Sequence, residues 1–98
     1  HVRSRRQRQM CIRDRYLAEM DVIAVGADTW SLDVVPSIDP MEPYPGHVIL
    51  IKEHGIYILE SMNTGALADD DVNEFLFVLG QAKIRGAVQM IINPIAIH

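Results

Sequence analysis

The sequence predicts an α/β fold in which strands dominate. Three observations carry this. Apolar runs of strand length recur at 21–28, 56–60, 74–80 and 89–98, and a single stretch, 47–55, has the start and stop signals of a helix. Residues 28–46 hold four prolines, which neither a helix nor a central strand accepts. With 98 residues, 49% of them apolar, the chain makes one small domain or part of a larger one and can fill a core.

Each element has its own justification. The run 21–28 (DVIAVGAD) suits a buried strand that enters a turn at Gly26. Pro36, Pro40, Pro43 and Pro45 then remove four amide donors and bias each preceding residue toward extended geometry. The result is an ordered loop over 28–46, of a length that is commonly functional. Pro45 and Gly46 open a helix over 47–55; Val48, Leu50 and Ile51 supply its apolar side, and Gly55 stops it. Residues 56–60 (IYILE) read as a strand, and 61–74 as a polar connection with one helical turn. The clearest buried strand is 74–80, followed by a half-exposed one at 82–87. Asn93-Pro94 interrupts the last apolar run, so its second half starts a fresh strand at a sheet edge.

The net charge of -4 is unevenly spread. Residues 1–15 carry six Arg against Asp14, a net +5, whereas 16–98 carry Lys52, Lys83 and Arg85 against twelve acids, a net -9. A basic arm can bind nucleic acid, but this one has no Phe, Tyr or Trp to stack on bases and no apolar periodicity for a recognition helix. No nucleic-acid partner is expected. The string MCIRDR at 10–15 resembles translated adapter read-through, so 1–15 is expected to be a non-native or disordered leader and 16–98 the folded part. Apolar stretches stop at six or seven residues, far short of a membrane span, and the single Cys11 excludes an internal disulfide framework. These features predict a cytoplasmic protein with no membrane partner.

Two residues stand out chemically. A helix from 47 to 55 advances about 12 Å, and a strand from 56 to 60 returns about 13 Å, so antiparallel packing would set Glu60 beside His47. An imidazole and a carboxylate meeting at a helix start make half of a metal site. The plainer reading is a surface His and a solvated strand-end Glu. His54, before Gly55, is explained by the helix C-terminus. Ser31 lacks the G-x-S-x-G setting of a nucleophile, and Asp69, Asp70 and Asp71 lack calcium-loop spacing and read as a solvated helix start. The six glycines make no phosphate-binding fingerprint. Trp30 reads first as a packing residue, with pocket lining as the lesser reading.

The strings DTWSLDVVP, HVILIKEHGIYILES, EFLFVLGQAKIRGA and NPIAI, in that order over 21–98, resemble the C-terminal part of the putative-cyclase family, which includes kynurenine formamidases and isatin hydrolases. The resemblance implies a swivelling β/β/α cyclase-like fold and a metal-dependent hydrolase of a formamide or cyclic amide, of the kind used in tryptophan catabolism. It implies zinc or manganese as cofactor, a small-molecule amide substrate and a homo-oligomer in the full-length protein. His47 matches the family's later His, as metal ligand and catalytic group, and Glu60 matches the Glu of its E-N-L element, as metal ligand. Asp28 and Trp30 would line the substrate pocket.

The family's principal motif, H-x-G-T-H-x-D-x-P-x-H, is not in this sequence, which implies an inactive C-terminal fragment. Three departures stand out: Ser61-Met62 replaces Asn-Leu, 88–93 replaces a Gly-Ser-Pro-x-Arg turn, and the spacing from His47 to Glu60 is one residue longer than in compact members. The alternative is a non-catalytic acidic α/β domain that binds a protein partner.

Overall fold

A computed structural model describes residues 2–37 and 39–98, with the side chains of 2–4 and 6–8 outside that description. The chain divides into two units, His1–Thr64 and Gly65–His98. It is a mixed α/β protein with few, short strands.

The first unit holds α1 (Val2–Glu19), β1 (Ala24–Gly26), α2 (Pro45–His47), a π-helical segment (Val48–Glu53) and β2 (Tyr57–Leu59). Strands β1 and β2 pair in parallel, with Ala24 opposite Tyr57, Val25 opposite Ile58 and Gly26 opposite Leu59. Pairing continues beyond β1: Ala27 N–H donates to the Leu59 carbonyl at 2.9 Å, and Ser61 N–H to the Thr29 carbonyl at 2.7 Å. Pro45 begins α2, where its missing N–H costs nothing. Gly55 ends the π segment in the left-handed region (φ 66°), donating its N–H to the Ile51 carbonyl.

The core of this unit is small. Leu32, Leu50 and Ile56 are buried together, with Ala18, Val22, Val25, Ala27 and Ile58 packed around them. Ala18 belongs to α1, which packs against both α2 and the π segment. Residues 2–15, within the stretch expected as a leader, are helical in α1, and Asp14 among them is buried. The leader side chains Arg3, Arg6 and Arg8 lie outside the described residues.

The second unit holds α3 (Gly65–Asp69) and the antiparallel pair β3 (Leu76–Gly80) and β4 (Asn93–Ile97), in register from Leu76 opposite Ile97 to Gly80 opposite Asn93. Strand β4 begins at Asn93, as the Asn-Pro break predicts.

Four expectations need correction. Helical residues outnumber strand residues, because α1 forms and the strands are only three to five residues long. The stretch 82–87 is no strand: Ala87 N–H donates to the Ile84 carbonyl in a turn that Gly86 completes at φ 81°. Strand β3 is not buried, since a two-stranded ribbon offers it no covering layer among the described residues. Asp69 ends α3 rather than starting it, and Asp71 takes a left-handed turn (φ 52°), which short polar side chains tolerate.

Candidate functional site

His47 stands at the end of α2, where the helix start leaves peptide N–H groups without intrahelical partners. Tyr44, the residue before Pro45, gives no side-chain cap. Asp33 does this work from across the loop: its Oδ1 accepts from Gly46 N–H at 2.8 Å and its Oδ2 from His47 N–H at 3.0 Å. The same Oδ2 lies 2.6 Å from Nδ1 of the His47 ring. Asp33 is buried, so its bonds are shielded from water. Tyr44 adds an edge-on ring contact to His47, with centroids 5.8 Å apart.

Glu60 reaches the same place from the end of β2. Its Oε1 accepts the Leu32 N–H at 2.8 Å and lies 3.5 Å from His47 Nε2. The close packing of β2 against the π segment thus joins two residues thirteen apart in the chain. Both side chains are about one-third exposed, at 33% and 30%, so the pair is open to solvent while Asp33 behind it is not.

A third carboxylate approaches from α1. Asp14 is fully buried; Arg13 donates to its Oδ1 from Nε at 2.8 Å and from Nη2 at 2.6 Å, while Oδ2 accepts no hydrogen bond among the described residues. Burial pushes the Asp14 carboxyl above the usual carboxylate range; Arg13 opposes the rise, and Asp33 adds to it. A Cβ on Gly46 would lie 2.7 Å from both Asp14 Oδ2 and Asp33 Oδ1, so only glycine fits between the two acids.

The donor types and spacing of His47 and Glu60 suit a shared divalent ion. At 3.5 Å, Nε2 and Oε1 are farther apart than a good N–H···O hydrogen bond. Two ligands of a tetrahedral zinc, each at the usual bond length, are separated by about 3.4 Å. Among the described residues, no group of three or more His, Cys, Asp or Glu is arranged to hold a metal. The pair therefore fits as two donors of a set rather than as a whole site.

The other sequence candidates lie elsewhere. Trp30 is 76% exposed, so it is not a core packing residue, and Asp28 is exposed too. The carbonyl of Ser31 accepts from the Thr29 hydroxyl. His54 Nδ1 pairs with the Ile49 carbonyl at 2.8 Å, in keeping with a role at the helix end. Sequence reasoning assigned nothing to Asp33 or Asp14. An acid set within the apolar run Leu32–Val35 was the available signal for Asp33; Asp14 was hidden by its place in the Arg-rich leader.

No helix among the described residues is long and apolar enough to cross a membrane. No family model, curated protein or solved structure matches the chain.

Proposed function

We propose that this chain is part of a metal-dependent hydrolase acting on a formamide or cyclic amide, with His47 and Glu60 as working residues. The observation that carries the reading is the convergence of His47 Nε2 and Glu60 Oε1 at 3.5 Å, with the far side of the imidazole anchored on a buried carboxylate. Metal-binding histidines are commonly backed in this way. The sequence motifs over 21–98 that resemble cyclase-family hydrolases support the same reading, and the swivelling β/β/α fold belongs to it.

His47 and Glu60 would hold the ion, and the remaining ligands would come from residues outside this pair. When bound, zinc or manganese supplies the Lewis acidity that polarises an amide carbonyl and acidifies a water. The working atom of His47 is Nε2, whose lone pair binds a cation or takes up a proton. The carboxylate of Glu60 is the second base within reach. Asp28 and Trp30, both exposed near the start of the proline-rich loop, are the proposed substrate contacts.

The test is made on the complete protein that contains this chain. Its reading frame should include the H-x-G-T-H-x-D motif, and the purified product should hold near-stoichiometric zinc or manganese. Chelation should abolish hydrolysis of an aryl formamide or lactam. If His47→Ala and Glu60→Ala leave both metal content and rate unchanged, the assignment is wrong.

A second reading, a non-catalytic domain that binds a protein partner, has one observation in its favour. Val88 and Ile91 are each 99% exposed in the second unit, apolar surface that a partner would cover. A metal-free, inactive complete protein would favour it.

A further inference from the structure

The ring of His47 has two nitrogens, and the structure distinguishes them. Resting on the reading of His47 and Glu60 as the functional pair, we propose that Asp33 is a positioning residue: it keeps a proton on His47 Nδ1 and so turns the Nε2 side of the ring toward Glu60. Three nitrogens converge on this one buried carboxylate. Asp33 receives two peptide N–H bonds, from Gly46 and His47, which require lone pairs on both of its oxygens. His47 Nδ1 lies 2.6 Å from Oδ2, the oxygen that also accepts the His47 peptide N–H. An unprotonated Nδ1 would set lone pair against lone pair at that distance, in a site shielded from water. The proton therefore belongs on Nδ1. In the neutral ring Nε2 is then the acceptor or ligand, and it is the nitrogen that faces Glu60.

The two peptide bonds also make the anchor stiff. Asp33 is tied to the same turn of backbone that carries His47, so the carboxylate and the ring move together. Gly46 permits this approach, because any side chain there would displace Asp33 Oδ1. Arrangements of this kind, in which a carboxylate orients a histidine by the nitrogen it does not use, set both tautomer and ring direction.

Long-range 1H–15N correlation spectra of the 15N-labelled chain, with the His47 ring assigned by comparison with His47→Gln, read the tautomer directly. Wild-type protein should show the His47 proton on Nδ1. A proton on Nε2 alone, with Nδ1 bare, would overturn the proposal. Asp33→Asn keeps the side-chain shape but removes one acceptor, and should give a mixture of tautomers; Glu60→Gln should leave the proton on Nδ1. If Asp33→Asn fails to fold by circular dichroism, the wild-type spectrum still decides.

Zinc alone, titrated into the complete protein that contains this chain against a chromophoric chelator, supplies an independent readout. Asp33→Asn should weaken zinc uptake about 10- to 100-fold. Equal uptake by wild type and Asp33→Asn would count against a positioning role. No uptake by wild-type protein would instead sink the metal reading of the pair, while the tautomer result would still stand.

Discussion

At the residue scale, the most informative contacts are those made by acids. Asp14 is buried with one oxygen unpaired among the described residues, and its carboxyl holds its proton to higher pH than an unfolded Asp would. Over that interval the folded state binds more protons than the unfolded state, so stability falls as pH rises. The contribution of Asp14 is fully favourable below the unfolded carboxylate range, near pH 4, and is lost as pH climbs through the raised folded value. Asp14→Asn removes the ionisation and supplies an amide donor. We expect it to stabilise the protein at pH 7 by on the order of 1 kcal/mol, and to have little effect at pH 3; urea melts at the two pH values measure this. An equal effect at both would show that the Asp14 charge is irrelevant. Gly46→Ala is expected to do the opposite. Its Cβ would press on two oxygens, one of them fixed by a peptide bond, at a cost of about 1–3 kcal/mol. The Asp33–His47 anchor should loosen with it, visible as a shift of the His47 ring signals.

At the element scale, short pieces of secondary structure are set by their ends. Ser61 follows Glu60 directly and sits in the left-handed region at φ 53°, turning the chain away once the carboxylate has been delivered. Asn accepts that conformation more readily than Ser. Ser61→Asn is therefore predicted to raise stability by a few tenths of a kcal/mol without disturbing His47, with thermal melting and the ring spectrum as the checks. Much of this level was legible in the sequence. Pro45, Gly46 and Gly55 mark where the helical stretch begins and ends, although residues 48–53 wind as a π segment rather than the expected α-helix and the strand is only Tyr57–Leu59. The failures have physical causes. The residues 82–87 alternate like a strand, yet Gly86 adopts a positive φ and closes a turn instead. The Asp run at 69–71 closes its helix rather than opening it, because a left-handed Asp can stop a helix much as glycine does.

At the scale of the whole molecule, the two units differ in how well they bury themselves. The first has a core around Leu50, which is fully buried. The second has no buried side chain among its described residues, and Leu76 of β3 with Ile84, Val88 and Ile91 of the connection to β4 are each more than half exposed. Two-stranded ribbons are marginal by themselves, and their open edges and apolar faces favour further pairing. The isolated chain should therefore self-associate. Light scattering should show mass rising with concentration, and Val88→Lys with Ile91→Lys should reduce the rise. A monodisperse monomer across the concentration range would contradict this. Hydrogen exchange should also be slower at Leu50 and Ile56 than in β3 and β4, since protection follows burial.

The sequence by itself determined the mixed α/β class, the proline-rich loop and the ends of the helical stretch, and it offered the meeting of His47 with Glu60 as one of two readings. These depend on local rules: where an amide is missing, where a positive φ is allowed, and how far each residue advances the chain. Only the tertiary structure decided what stands behind the pair. Asp33 approaches His47 from fourteen residues away, and Asp14 arrives on a helix that local reasoning set aside. No periodicity encodes such contacts. They exist because a helix start needs acceptors, and burial makes the acid that supplies them hold a neighbouring ring in place.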